Sequence, residues 1–528
     1  MSGQSFPLRD GTPEDFQTVR DYLNGAGYSE ARFHSHFALN KLHYLLYPYG
    51  MQADLFKKRY YEQGDFPLLA RVLMGGFPAT RQEMLSIMPE KVLTVFIALG
   101  ILRDVPEDAS QMEAPVLLYP AYDLLIASDR GIQGDKVGYR DRDYVMSGTE
   151  NICRQYIDCF LKTPCRDLLD IGTGAGLAAL VGSGFADQVY AIDITERAVS
   201  YAEFNRKLND RRNLEILKGD LFGPVAGRKF DRIVANPPFE PPLKPDLVFS
   251  VGGADGEAIL ARLFAEAPAY LKPGGRLYCL VLGTDREEES FDQRLVRYMG
   301  EAAYECDLLL FPRKTMDTEA YATEQILGEN ADAWKLQEWK LFYYKLKATK
   351  VVFGHAIVQR RDSERPVFRV RRDISLTNTV EEPASGLGEM EWLLDWETRA
   401  ASAGIEEMIL NSRPSMNPEL ELHARHGVRD GELTPVSYTF FTRYPFEVNL
   451  HAASWMAMLA ARANGQRTGA ELLSWLEGKA GVPKQEFIHA ACALISAGFL
   501  DIAEFPPPPR AVRNPASSDG SEPRMKAL

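Results

Sequence analysis

Along the first 125 residues or so, apolar positions recur at three-to-four spacing in three stretches, Phe66–Met74, Arg81–Met88 and Lys91–Leu102. Gly75-Gly76, Pro78 and Pro89 interrupt them, so the pattern predicts three short helices. From about residue 130 the pattern changes to short apolar runs alternating with helical segments. The runs are Asp167–Ile171, Gln188–Ile192, Leu214–Leu217, Arg232–Ala235, Arg276–Leu282 and Val351–Val358. That alternation predicts an α/β domain, a mostly parallel sheet with helices on both faces. Leu341–Leu346 and Val351–Val358, joined by Lys347-Ala-Thr-Lys350, predict a closing antiparallel hairpin. Helical periodicity returns at Ala452–Ala463, Gly469–Glu477 and Lys484–Ala497.

These changes divide the chain into 1–129 (helical accessory domain), 130–361 (α/β domain), 362–395 (linker), 396–505 (small helical domain) and 506–528. The last stretch, rich in proline and polar residues, is expected to be disordered. Both helical domains resemble winged-helix modules, the first with Val116–Tyr119 following its helices. Such modules bind DNA, dimerise or cover substrates. The mostly apolar Lys91–Ile101 favours the packing role.

A chain of 528 residues exceeds what one core supports, in keeping with several domains. No apolar run is long enough to span a bilayer, and the polar start lacks a signal-peptide pattern, so a cytoplasmic location is expected. The six cysteines form no CxxC pair, which predicts free thiols and no metal site. A net charge of −13 argues against strong non-specific binding to DNA. The most basic stretch, Arg360, Arg361, Arg365, Arg369, Arg371 and Arg372, reads as a solvated linker in preference to a nucleic-acid patch.

Candidate chemistry begins at Asp167-Leu-Leu-Asp-Ile-Gly-Thr-Gly-Ala-Gly176, where a buried strand enters a glycine-rich turn before a helix. Gly172, Gly174 and Gly176 let the backbone approach a ligand. Asp193 closes the next strand, where a carboxylate can accept from both hydroxyls of a ribose. A nicotinamide fingerprint has G-x-G-x-x-G, whereas this turn is G-x-G-x-G with Asp170 two residues ahead. That acid would repel a pyrophosphate but suits the cationic end of S-adenosylmethionine. Thr173 completes the turn. Asp220 can accept from an adenine amino group, with Ile194 and Leu221 flanking the ring.

Asn236-Pro237-Pro238-Phe239 follows the strand Arg232–Ala235 and points to the reaction class. The Asn236 side-chain carbonyl and the Pro237 main-chain carbonyl are two acceptors for an amino group on an sp² carbon. Held there, the nitrogen lone pair is aligned for methyl transfer. The prolines fix φ and remove competing donors, and Phe239 can stack on the planar group. Pro238, Phe239, Glu240, Thr149 and Glu150 are the expected acceptor-side residues.

With these residues in hand, about 145–300 resembles the HemK family of N5-glutamine methyltransferases and its relatives that methylate guanine in ribosomal RNA. The matching positions are Asp170–Gly176, Ala191–Asp193, Asn205, Gly219–Phe222, Asn236–Phe239, Gly252–Gly256 and Leu271–Gly275. The resemblance implies a class I (Rossmann-like) methyltransferase fold with S-adenosylmethionine at Gly172–Gly176, Asp193, Asp220 and Leu221. The glutamine enzymes usually carry tyrosine where this chain has Phe239. Of the segment that precedes their first strand, only Thr149-Glu150 is retained.

Three acceptor classes fit: a glutamine-type amide of a protein or peptide, which is favoured; a nucleobase amino group in RNA or DNA; and a small-molecule amide, guanidine or amino-heterocycle. A DNA-binding regulator that merely senses the cofactor is disfavoured, because a sensor needs no acceptor clamp.

Overall fold

The computed structural model describes residues 6–39, 41–46, 51–134, 136–137, 141–149, 151–157, 160, 162–243, 247–329, 333–372, 384–417, 420–429, 431–442 and 448–507. They form two compact units, 1–371 and 372–528.

Eight strands build the main sheet of the first unit: β1 Cys165–Ile171, β2 Ala186–Asp193, β3 Leu214–Lys218, β4 Phe230–Ala235, β5 Leu271–Arg286, β6 Cys306–Asp317, β7 Ala348–Arg360 and β8 Arg369–Arg371. Their spatial order is β3-β2-β1-β4-β5-β7-β6-β8. The five strands from β3 to β5 are parallel, and β7 runs antiparallel to both β5 and β6. This is the class I methyltransferase arrangement. Alternate side chains serve opposite faces, so Leu169 and Ile171 join Leu260, Leu263 and Phe264 of helix Ala258–Tyr270. Leu168 turns the other way, against Gly182 of helix Leu177–Gly182. Burial on both faces explains why the strands read as continuous apolar runs.

The closing antiparallel pair is present, but its members differ from the expectation. Leu341–Leu346 lies largely in helix Ala333–Lys345, whose Trp339 and Tyr343 pack against Tyr321. The true partner of β7 is β6, whose apolar run Leu308–Phe311 is too short for periodicity to separate strand from helix.

The stretch expected to be a linker is also structured in part. β8 lies in it and pairs with β6, and helix Ala384–Ala400 spans its end. Its arginines are not a solvated run. Arg365 pairs with fully buried Asp307, Arg360 with Glu305, and Arg371 with Asp285 and Asp292. The carboxylates on β5, β6 and their flanking segments take up the positive charge that made the sequence look exposed.

Near the N-terminus the expected helices appear at Asp65–Leu69 with a π-turn Ala70–Met74, at Arg81–Ile87 and at Glu90–Ala98. The polar stretch after them forms a hairpin, Arg103–Val105 paired with Asp108–Glu113, which also pairs with Ala79–Thr80. Val116–Tyr119 instead leads into a separate hairpin, Leu117–Ala121 with Leu124–Ser128. Asn205 on helix Glu196–Leu208 and Asn209, which caps its C-terminal end, clamp that hairpin through the main chain of Ala127 and Leu125. Half-buried Arg130 donates to the carbonyls of Leu73, Met74, Ala114 and Val116 at 2.6–3.2 Å, and desolvation of its guanidinium pulls its pKa down to about 10.

The second unit holds the helices expected near its C-terminal end, at Ser454–Ala460, Gly469–Ala480 and Lys484–Ser496. It is not purely helical: Glu421–Arg429, Glu432–Thr442 and Val448–Ala452 form an antiparallel sheet. Trp396, Leu472, Phe487 and Phe499 are among its core side chains. Most of the proline-rich end, 508–528, lies outside the described residues.

Candidate active site

Strand register brings the candidate residues together. Ala235 of β4 pairs with Ile171 of β1, Ile171 with Ile192 of β2, and Lys218 of β3 with Asp193. The residues that follow, Gly172, Asp193-Ile194, Gly219-Asp220 and Asn236, therefore emerge side by side at one carboxyl edge. There the strand order reverses between β1 and β4, which is where ligands settle in such sheets.

A cavity of about 270 Å³ opens at that edge. Its walls include Gly172–Ala175, Ile192–Thr195, Gly219–Leu221 and Asn236–Pro238, together with Tyr144, Val145, Met146, Tyr156 and Phe249. The turn needs its glycines, since Gly172 and Gly174 have φ of +72° and +55°. At Gly174 a Cβ would meet nothing within 4 Å, so bare backbone faces open space there.

The turn is hung from its neighbours. Gly172 and Thr173 donate backbone N–H groups to the Ile192 carbonyl at 2.9 and 3.0 Å. Asp193 accepts from the Gly174 N–H at 3.0 Å and from Thr195 at 3.0 and 3.1 Å. Desolvation raises the Asp193 pKa despite those bonds. A desolvated carboxylate facing a cavity gains most from further donors, such as vicinal hydroxyls. On the adjoining rim Asp220 pairs with Arg262 at 2.7 Å, and Leu221 holds a left-handed φ of +45°. Such a backbone is uncommon for a branched residue.

The methyltransferase small domain family matches residues 150–302, which hold this turn, Asp193 and Asn236–Phe239. A Methanocaldococcus jannaschii protein named for protein N5-glutamine methyltransferase activity is 36% identical over 135 residues, covering 24% of this chain and 68% of its own. A release factor glutamine methyltransferase of Moorella thermoacetica is 36% identical over 152 residues, 26% of this chain and 53% of its own. A ribosomal protein uL3 glutamine methyltransferase of Bradyrhizobium diazoefficiens is 35% identical over 149 residues, 25% of this chain and 46% of its own. This chain belongs to the methyltransferase small domain family. Its α/β domain is an S-adenosylmethionine-dependent methyltransferase. The chain spans about half the length of the release-factor and uL3 relatives.

The cavity of this methyltransferase domain fits the cofactor: open backbone at Gly174, a carboxylate at Asp193, and apolar sides at Ile171, Ile192, Ile194 and Leu221. When bound, S-adenosylmethionine supplies an electrophilic methyl group. Asp193→Ala should weaken binding of S-adenosylhomocysteine by roughly 1–3 kcal/mol, the scale of lost charge-assisted hydrogen bonds. Calorimetry checks this, and unchanged affinity would remove Asp193 from the site.

Several expected contacts are corrected by the structure. Asp170 has no exposed surface and accepts from Tyr156 Oη at 2.8 Å, Thr173 Oγ1 at 2.6 Å and the Ala179 N–H at 3.1 Å. It braces the turn from behind instead of meeting the cofactor. Gly176 caps helix Leu177–Gly182, where a Cβ would approach Ala202 to 3.2 Å, so its task is packing. Phe239 is 7% exposed, does not line the cavity, and sets its ring edge-on to Phe353. Glu240 is half-buried and its backbone pairs with Ser250 and Gly252. Thr149 is buried and bonded to Ser147. Glu150 lies outside the described residues. Ile194, Leu221, Asn236, Pro237 and Pro238 line the cavity. Tyr144, Tyr156 and Phe249 were not anticipated. Only the position of Tyr144, just ahead of the retained Thr149-Glu150, hinted at a role.

Burial raises the Asp170 pKa from 3.8 to about 6, outweighing its three donors. Between those values the folded protein holds a proton that the unfolded chain releases. Stability should therefore fall by about 2–3 kcal/mol as pH rises from about 4 to 6, then stay level. Asp170→Asn should remove that slope in urea titrations. An unchanged slope would show that another group carries it.

Proposed function

We propose that this enzyme methylates the side-chain amide of a glutamine in a protein. The observation that carries the reading is that Asn236, Pro237 and Pro238 line the same cavity as Asp193 and the glycine turn. Asn236 follows a strand locked in register with β1, so its carbonyl is held in place before any acceptor arrives. The Asn236 side-chain carbonyl and the Pro237 main-chain carbonyl accept both hydrogens of a primary amide, which turns the nitrogen lone pair toward the methyl donor. Holding both hydrogens also opposes delocalisation into the amide carbonyl and stabilises the positive charge that develops. The nitrogen then sheds a proton without needing a histidine base. Relatives named for release-factor, uL3 and protein glutamine methylation support this acceptor class.

The test is incubation of the full chain with methyl-labelled S-adenosylmethionine and ribosomal and post-ribosomal fractions from cells lacking the gene. Protease-sensitive, ribonuclease-resistant label is expected. Ribonuclease-sensitive label would transfer the assignment to a nucleobase, and label confined to small molecules would transfer it to a metabolite.

A further inference from the structure

Asp129 is a buried carboxylate, 6% exposed, between the strand Leu124–Ser128 and the segment 141–149. It joins two sides of the cavity. On one side its Oδ2 accepts from the Val145 N–H at 2.8 Å, while its own N–H donates to the Val145 carbonyl at 3.2 Å. On the other, Arg197 donates through Nε at 2.7 Å to Oδ2 and through Nη2 at 2.5 Å to Oδ1, and Tyr201 Oη donates at 2.7 Å. Arg197 and Tyr201 lie on helix Glu196–Leu208, which follows Asp193 directly.

The segment fixed at Val145 forms part of the cavity boundary through Asp143, Tyr144, Val145, Met146 and Gly148. It is tied at other points too: the Val248 N–H donates to the Arg142 carbonyl at 2.9 Å, and the Gly148 N–H to Tyr119 Oη at 2.6 Å. Tyr144 and Phe249 meet at 6.2 Å between ring centroids. The four donors on Asp129 match the roughly four lone-pair sites of a carboxylate, leaving it no capacity to act on substrate.

We propose that Asp129 is a positioning residue for cofactor binding: it holds the strap 141–149 over the cavity at a fixed distance from the Asp193 side. The N-terminal region thereby completes the cofactor site. The inference concerns the cofactor and does not depend on the acceptor, so its failure would leave the glutamine assignment standing.

The experiment is calorimetric titration of the full chain with S-adenosylhomocysteine, paired with hydrogen exchange resolved by peptide. Asp129→Ala should weaken binding about tenfold or more, with faster exchange confined to 141–149 while β1, β4 and β5 keep their protection. Asp129→Asn keeps an acceptor for Val145 but loses the charge facing Arg197, and should fall between wild type and Asp129→Ala. If Asp129→Ala does not fold, Asp129→Asn decides: weaker binding with exchange changed only in the strap supports the role. Wild-type affinity in the variants that fold, or weakened affinity with exchange rising equally across the sheet, would overturn it.

Discussion

Asn236→Ala is expected to slow methyl transfer by about a hundredfold or more while cofactor affinity and thermal stability stay near wild type. The magnitude is that of one preorganised transition-state hydrogen bond. Its selectivity follows from position: Asn236 lies at the cavity beyond the end of β4, whereas the sheet's packing is carried by Ile233, Val234 and Ala235. Pro237 and Pro238 remain to shape the loop. Asn236→Asp keeps a hydrogen-bond acceptor and should retain part of the activity. Single-turnover rates with labelled cofactor separate these variants. Near-normal turnover in Asn236→Ala, or loss that tracks unfolding, would remove the clamp from the mechanism.

The largest effect on stability is expected at Glu257, at the end of the Gly252–Gly256 loop. Its carboxylate is 2% exposed and faces Arg294, which is fully buried, through bonds of 2.8 Å to each oxygen. Tyr298 adds a third at 2.8 Å. Glu257→Ala leaves a guanidinium buried without its carboxylate, which should cost about 3–5 kcal/mol. The loop also supports the acceptor clamp, since the Gly252 N–H donates to the Glu240 carbonyl at 2.9 Å and a Cβ at Gly256 would meet the Phe239 carbonyl at 2.7 Å. Activity should therefore fall together with stability, unlike in Asn236→Ala. Replacing both partners by apolar residues should recover much of the loss, because no charge is then stranded. Urea unfolding of the single and double variants checks this, and a Glu257→Ala loss under about 1 kcal/mol would contradict it.

The sheet was largely legible because buried parallel strands are apolar throughout, as at Asp167–Ile171 and Arg232–Ala235. The turn and the Asn-Pro-Pro loop were legible because their chemistry tolerates few residue types. What escaped depended on tertiary context. β6 was missed because four apolar residues carry no period. The arginines of 360–372 looked solvated because Asp307, Asp285 and Glu305 are distant in sequence. Asp170 reads as a ligand residue from spacing alone, and only the converging donors of Tyr156, Thr173 and Ala179 show it facing inward. Tyr144 and Phe249 sit on irregular loops where no pattern announces a site.

The chemical fate of the transferred methyl decides whether it ends on the nitrogen of a glutamine amide. Strong-acid hydrolysis of the labelled acceptor releases a methylated amide nitrogen as methylammonium, which distils as methylamine once the hydrolysate is made alkaline, and leaves glutamate as the free amino acid. The proposed function predicts that the label transferred by the wild-type enzyme, and lost in Asn236→Ala, is recovered as methylamine. Label that stays on a nucleobase, on a guanidine or on a non-volatile amino acid would contradict it.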